Sequence, residues 1–407
     1  MTTSRIIAWT IWIIASVFYA YQYILRVMPN IMLNDIMQQF HIDTAVFGQF
    51  SGVYYIGYSL MHIPIGIMLD HYGPKKVMSG CILLTVIGLL PLVFAEHWAY
   101  PIIGRILIGM GSSAAILGVF KIIRMSFSEK LFPRMLSFSV MIGLLGAIYG
   151  GGPVSYMCDT LGYKTVVEIF IALGIALAAL TYFIVPNLEK TANSTVLSEL
   201  KEILTNKRVI ITCISAGLMA GPMEGFVDAW GKSFLKQTYG LDNLTSSSLI
   251  SIIFISMCFG APVLTFIADK TNYIGTIIGS GIAMSLCFLA LILTHLTNNS
   301  IIAIFVIIGT CSAYQILAIY KASTYVSETV AGLTTAIANM IIMIFGYAFH
   351  SIIGLVVNMN GGIKEPNAFI YGISVIPVTL IIGALGFIIV TQISKQKNYD
   401  DTDILAK

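Results

Sequence analysis

Six charged residues lie inside long apolar stretches of the sequence, where their side chains could exchange protons, form ion pairs or bind a charged solute. They are Arg26, Arg105, Lys121, Glu224, Asp228 and Lys321. A charge in such surroundings is costly unless it faces a partner or a water-filled cavity, so each is a functional candidate. Glu224 and Asp228 are four residues apart, which places both carboxylates on one face of a helix.

The composition identifies the elements that must position these charges. The chain has 407 residues, 57% of them hydrophobic and 10% charged, whereas a soluble protein carries about a quarter charged residues. A bilayer core of about 30 Å needs roughly 20 apolar residues for each helical span. Twelve such runs are predicted, at 6–33, 44–69, 77–95, 99–125, 135–158, 165–186, 208–236, 247–268, 274–295, 300–321, 330–357 and 367–393. The predicted fold is an all-α integral membrane protein of two six-helix bundles.

The longest polar break separates the two sets of six runs. We predict a first bundle over 1–187, a linker over 188–207, a second bundle over 208–394 and a tail over 395–407. Apolar residues recur at helical spacing in the linker behind Ser194 and Thr195, which are candidate helix caps. This pattern favours a short helix on the membrane surface, with a mobile tether as the alternative.

The two halves repeat one another at an offset of about 200 residues. The segment 116–121 (ILGVFK) recurs as 316–321 (ILAIYK), and Asp70 has a counterpart in Asp269. Such duplication is typical of transporters whose site lies between the repeats. Glu224 and Asp228 bracket position 226, the repeat equivalent of Arg26. We therefore expect Arg26 to pair with one or both and close an outer gate that opens on protonation or solute binding. A fixed structural ion pair is the alternative.

The distribution of Lys and Arg predicts the orientation. Basic residues of membrane proteins collect in cytoplasmic loops, and here they concentrate on the side that carries both chain ends. The termini are therefore expected in the cytoplasm, and Lys232 is assigned to the outer side. The cysteines show no metal-ligand spacing, and we expect no cofactor or metal.

The first loop of the expected cytoplasmic side carries a motif, G-x-x-x-D-x-x-G-x-[RK]-[RK], between positions 66 and 76. Its fixed positions are Gly66, Asp70, Gly73, Lys75 and Lys76. Gly66 is expected to allow close helix approach and Gly73 a tight reversal. The motif, the twelve runs and their 6+6 division resemble the major facilitator superfamily over the whole chain. The resemblance implies a gating role for these residues and for Asp269, the remnant of a second copy.

Two further segments extend the resemblance. Residues 104–111 (GRILIGMG) are similar to an arginine motif that the family associates with proton coupling, which implies such a role for Arg105. Segments 18–29 and 221–231 look like a bacterial branch that includes organic-anion and sugar-phosphate permeases. Arg124 is a candidate partner of Asp70.

Polar residues of the central spans complete the candidate solute site. Besides Arg26, Lys121, Glu224, Asp228 and Lys321, they are Tyr19, Gln22, Tyr23, Tyr54, Tyr55, Tyr58, Tyr314, Gln315 and Asn339. Aromatic residues of membrane helices serve packing or an interfacial belt more often than ligand binding, which is the alternative for each tyrosine alone. The two lysines also fit simple snorkelling to the headgroups.

The predicted function is secondary transport by alternating access. The chain has no G-x-x-x-x-G-K-[ST] loop for ATP, and buried carboxylates favour proton coupling. The expected partners are a small anionic or zwitterionic solute, such as an organic anion, amino acid or dipeptide, then protons and the lipid of a bacterial inner membrane. We expect a monomer that binds no nucleic acid. A multidrug exporter, disfavoured by an incomplete glycine motif near Gly152, and a facilitative uniporter are the alternatives.

Overall fold

The computed structural model describes residues 5–128, 131–186 and 196–405, and every regular element in those ranges is helical. The first half contains α1 Arg5–Ile31, α2 Leu33–Phe40, α3 Thr44–Phe94, α4 Ala99–Ser126, α5 Phe132–Leu161 and α6 Tyr163–Ile184. Helices suit this composition because a bilayer offers no hydrogen-bond partner to the backbone, so each span must satisfy its own N–H and C=O groups.

The second half repeats this plan with more interruptions. It contains α7 Val196–Thr205, α8 Lys207–Gly225, a π-helical turn Phe226–Trp230, α9 Gly231–Tyr239, α10 Asn243–Lys270, α11 Tyr273–Leu293, α12 Asn298–Ser312, α13 Tyr314–Ser323, α14 Glu328–Met359, a 3₁₀ turn Gly362–Lys364 and α15 Pro366–Leu405. The π turn joins α8 and α9 into one continuous spanning unit, Lys207–Tyr239.

The described residues form eleven continuous helical units that are long and apolar enough to cross a membrane. The longest unit, α3, is two helices joined at Gly73, which has φ 75° and ψ 163°. A residue with a Cβ would be strained at that positive φ, so the motif glycine permits the reversal. Since α3 counts as two spans, the described residues contain twelve spans in all. The predicted fold class is confirmed.

The structure adds details that the apolar runs did not indicate. The first run ends at Ile31, and the short helix α2 follows it before α3 begins. Helix α7 lies in the predicted linker, and its Ile203 packs against Val209 and Cys213 of α8. The proposed caps Ser194 and Thr195 lie outside the described residues. Helix α15 continues through the predicted tail as far as Leu405.

Helices α1, α3 and α5 of the first bundle meet α8–α10 and α14 of the second, and we call this contact the seam. The end of the molecule that carries the start of α1 is called the terminal face, and the opposite end the far face. At the far face α3 and α14 approach so closely that a Cβ on Gly354 would lie 2.5 Å from the carbonyl oxygen of Thr44. Small residues at such crossings are typical of membrane helices.

Candidate gate and solute site between the bundles

A buried charged cluster, formed by Arg26, Tyr55, Glu224 and Asp228, lies on the seam toward the far face. The Nε of Arg26 donates to Asp228 Oδ2 at 2.6 Å, and its Nη2 donates to Glu224 Oε2. The Tyr55 hydroxyl contacts Asp228 Oδ2 and lies 3.3 Å from Glu224 Oε2. Arg26 is 8% exposed and Asp228 is fully buried. The structure therefore places the arginine of one bundle against both carboxylates of the other.

The π turn holds Asp228 in this position. A π turn inserts one extra residue into a helix and is often found at functional sites. Two contacts fix it from opposite sides of the seam. Asn30 of α1 donates to the Val227 carbonyl at 3.1 Å, and Trp230 Nε1 donates to the His350 carbonyl of α14 at 3.0 Å. Asp228 is thus carried by a non-α segment anchored to both bundles.

Arg105 of α4 supports the backbone that carries Arg26. Pro29 lies inside α1 and has no N–H, so the Leu25 carbonyl loses its intrahelical donor. Arg105 Nη1 donates to that carbonyl at 2.5 Å, and its Nη2 donates to the Arg26 carbonyl at 2.7 Å. The guanidinium also lies 4.8 Å from the ring centre of Tyr54. One buried arginine thus replaces the hydrogen bond that the proline removes.

Aromatic and amide side chains of the predicted site surround the cluster. Tyr54 donates to Gln22 Oε1 at 2.7 Å, and Tyr23 lies with its ring centre 5.2 Å from the Arg26 guanidinium carbon. The rings of Tyr19 and Tyr23 are 5.2 Å apart. The Tyr58 hydroxyl lies beside the Asn339 side chain across the seam. The structure therefore brings together the candidates of α1, α3 and α14.

Other predicted solute-site residues lie elsewhere. Tyr314 is fully buried inside the second bundle and donates to the Ala216 carbonyl of α8 at 2.8 Å. Gln315 follows it on α13 and is also buried. Lys121 and Lys321 are near the terminal ends of α4 and α13, well away from the charged cluster.

The motif residues at the terminal face differ in part from expectation. The partner of Asp70 is Lys121, with Nζ 2.6 Å from Oδ1, and not Arg124, whose guanidinium lies over the Phe132 ring at 5.6 Å. Lys75 reaches back over the Tyr182 ring at 4.8 Å, whereas Lys76 is exposed. A Cβ on Gly66 would meet nothing within 4 Å, so the expectation of a close helix approach there was wrong.

Lys232, assigned from the sequence to the outer side near the end of the run 208–236, lies buried on α9 at 5% exposure. Its Nζ donates to Ser155 Oγ at 3.1 Å and lies 3.5 Å from the Ile31 carbonyl. Both oxygens belong to the first bundle. Burial raises the pKa of the nearby Asp35 carboxyl on α2, and the Lys232 ammonium opposes that rise. The four-residue spacing after Glu224 and Asp228 is the sequence signal that identifies Lys232.

Helices α5 and α10 close the seam on its other side, again toward the far face. A Cβ on Gly151 would lie 2.8 Å from Ser251 Oγ, and Asn243 lies 3.4 Å from Asp159. Together with the charged cluster and the α3–α14 crossing, these contacts hold the two bundles together at the far face.

Comparisons with known proteins agree with this architecture. Residues 11–350 match the family model of the Major Facilitator Superfamily. The uncharacterized transporter YybO of Bacillus subtilis (strain 168) is 24% identical over 329 residues, covering 71% of this chain and 73% of that protein.

Two solved structures share the fold at low sequence identity. An inward-facing, unoccupied bacterial homolog of the human lysosomal transporter Spinster is 15% identical, with a TM-score of 0.73 over 95% of this chain and 96% of that one. The nucleoside transporter NupG, solved as a point mutant, is 17% identical, with a TM-score of 0.73 over 93% of this chain and 98% of that one. The chain therefore belongs to the major facilitator superfamily and is a membrane transporter, not an enzyme.

Proposed function

We propose that this protein is a proton-coupled secondary transporter of a small zwitterionic or anionic metabolite, such as an amino acid, a dipeptide or an organic anion. It works by alternating access as a monomer in a bacterial inner membrane, with both termini in the cytoplasm. The observation that carries the proposal is the buried contact of Arg26 with Glu224 and Asp228 across the seam.

The division of charge between the bundles supports this class of solute. Arg26 belongs to the first bundle, whereas Glu224, Asp228 and Lys232 belong to the second. When the bundles part, Arg26 loses both of its carboxylate partners, and two carboxylates and one lysine leave −1 on the other wall. A solute with a carboxylate and an ammonium compensates both walls, because buried charges without partners are costly.

Protonation provides a second way to release the contact. Two carboxylates share one guanidinium and one tyrosine hydroxyl, so the cluster holds one more negative than positive charge. A proton on Glu224 or Asp228 removes that excess and weakens the attraction to Arg26. This frees Arg26 for an anionic group of the solute and couples its movement to protons.

Counterflow in proteoliposomes tests the proposal. Liposomes loaded with an unlabelled amino acid, dipeptide or organic anion are diluted into the labelled compound, with and without a pH gradient. Preloading accelerates labelled uptake only in a carrier, and an inward proton gradient should drive accumulation. Facilitative uniport is indicated instead if the gradient has no effect.

The carboxylate variants separate a gate from a fixed ion pair. Glu224→Gln and Asp228→Asn should each change the transport rate and flatten its pH dependence. Glu168→Gln is a suitable control because that carboxylate is exposed on α6, away from the seam. Unchanged rates and pH profiles in both seam variants would exclude the proposed role.

A further inference from the structure

Lys232 of α9 is a buried cation that is held by neutral oxygens. Its Nζ donates to Ser155 Oγ at 3.1 Å and lies 3.5 Å from the carbonyl oxygen of Ile31. Among the described side chains, no carboxylate oxygen lies within 4 Å of this Nζ. A buried charge without a counterion is costly, and inside a spanning segment it marks a functional candidate. The closed far face therefore keeps one cation that no described carboxylate pairs with.

The side chain of Lys232 points across the seam. Ile31 ends α1 and Ser155 lies on α5, so both acceptors belong to the first bundle, whereas α9 belongs to the second. The acidic groups close to the lysine, Asp35 of α2 and Asp159 of α5, also belong to the first bundle. When the bundles part at the far face, Lys232 loses its acceptors and these neighbouring carboxylates together. Its ammonium then faces the open path.

Lys232 lies further toward the far face than the charged cluster. It follows Asp228 by four residues on one spanning unit, and its acceptor Ile31 follows Arg26 by five residues on α1. At 1.5 Å per residue, the levels of the two cations differ by roughly 7 Å along the path. A solute that reaches both cations needs two anionic groups, one at each level.

The charge balance of the path selects the rest of the solute, on the basis of the proton coupling proposed above. Arg26 and Lys232 carry two positive charges and Glu224 and Asp228 two negative ones, so the empty path is neutral. One proton on a carboxylate leaves two cations and one carboxylate. A solute with two carboxylates and one ammonium then pairs every charge, and the loaded path is neutral again. A zwitterion with one carboxylate leaves a cation unpaired, which is costly in a buried site.

We propose that Lys232 is an anion-binding subsite and that this protein carries acidic zwitterions, such as an acidic amino acid or a dipeptide with one acidic residue. The proposal rests on the proposed function and narrows its solute class. One carboxylate of the solute binds Arg26, the second binds Lys232, and the ammonium binds whichever of Glu224 and Asp228 stays ionised. Each solute moves with one proton, so no net charge crosses the membrane.

Matched acidic and amide solutes test the subsite in proteoliposomes. Uptake driven by an inward proton gradient is compared for glutamate and glutamine, and for alanyl-glutamate and alanyl-glutamine. The members of each pair have nearly the same shape and differ by one negative charge. We expect uptake of the acidic member to be at least tenfold faster in one pair, and faster than uptake of succinate, which has no ammonium.

The same panel separates failure of the subsite from failure of the proposed function. Equal uptake of the acidic and amide members, no uptake of either acidic compound, or a preference for succinate would overturn the subsite. Proton-driven uptake of any amide or organic anion would leave the proposed function intact. Absence of uptake and of counterflow for every compound would overturn both.

Variants assign the selectivity to one side chain. Lys232→Met should slow uptake of the preferred acidic solute at least tenfold more than uptake of its amide, and Lys232→Arg, which keeps the charge, should preserve the preference. Lys236→Met is the matched control, because Lys236 lies one turn further along α9 and is less buried, and it should also preserve the preference. An unchanged preference in Lys232→Met contradicts the assignment.

An imposed membrane potential tests the charge balance independently. A potassium gradient with valinomycin makes the liposome interior negative while the proton gradient is held constant. The initial rate of uptake of the acidic solute should stay the same, because neither the empty nor the loaded path carries a net charge. Acceleration would show that positive charge moves inward with the solute and would overturn the assignment of one proton to a solute of net charge −1.

Discussion

Asp228→Asn should open the far face by a measurable amount, because this residue joins the bundles through their most buried charge contact. The substitution keeps the side-chain shape but removes one of the two carboxylates that hold Arg26. A hydrogen bond to a charged group contributes about 1.5–3 kcal/mol. Glu224 still pairs with Arg26, so we expect the closed state of the single variant to lose about 1.5–3 kcal/mol relative to the open state. At about 1.4 kcal/mol per factor of ten, this loss corresponds to a roughly 10- to 100-fold rise in the open population.

A cysteine on the seam reports this population. Ser251→Cys, in a background with the six native cysteines replaced, places a thiol that is 7% exposed and faces Gly151 of the other bundle. Among the described residues, the serine hydroxyl donates within its own helix, to the Ser247 carbonyl, so the reporter removes no hydrogen bond across the seam. The rate at which this thiol reacts with a polar thiol reagent then increases with the population of molecules whose far face is open.

The double variant and a control set the limits of this prediction. Glu224→Gln combined with Asp228→Asn leaves Arg26 buried without a carboxylate, a loss of about 3–5 kcal/mol, so labelling should increase further, by roughly 100-fold or more. The control variant Glu168→Gln should leave the labelling rate unchanged. If neither seam variant accelerates labelling, the contact does not hold the far face closed, and the reasoning from burial and charge is refuted.

Three further changes test separate parts of the site. Arg105→Lys should reduce transport severalfold and lower the unfolding temperature, because one ammonium cannot reproduce both bonds to the α1 carbonyls. Adding Pro29→Ala restores the missing N–H and should diminish the loss of transport. An undiminished loss excludes the explanation that Arg105 replaces the hydrogen bond removed by Pro29. Lys232→Met should accelerate labelling of Ser251→Cys, while Lys236→Met, one turn further along α9, should not; equal effects would remove any special role for Lys232. Asp70→Asn should lower the unfolding free energy by less than about 1 kcal/mol, since Asp70 is 60% exposed; a larger loss by chemical denaturation contradicts a surface pair.

Much of the fold follows from the sequence because the bilayer imposes strong rules. Apolar run length fixes the spans, and the glycine that reverses α3 is recognisable because Gly73 requires a positive φ. Helix α2 and the π turn were not predicted. Both depend on local packing, which apolar periodicity does not encode. The π turn depends on hydrogen bonds made by Asn30 and Trp230 on opposite sides of it.

The site was predictable where charge and symmetry act together. Arg26, Glu224 and Asp228 were singled out because isolated charges in apolar spans need partners. The pairing of Asp70 with Lys121 instead of Arg124 was missed. Both cations lie on α4, and only the direction of each side chain decides which one reaches Asp70. Lys232 was missed because a position near a span end does not reveal whether the neighbouring bundle covers it.

Electron–electron distance measurements on spin-labelled protein in nanodiscs test the alternating-access account most directly. One label pair, at Thr160 and Leu244, spans the exposed far ends of α5 and α10, and a second, at Phe138 and Phe266, spans exposed positions nearer the terminal face. Asp228→Asn or a transported solute at low pH should lengthen the far-face distance and shorten the terminal-face distance. If the two distances stay constant, or change in the same direction, the bundles do not exchange access across the Arg26 contact and the account is wrong.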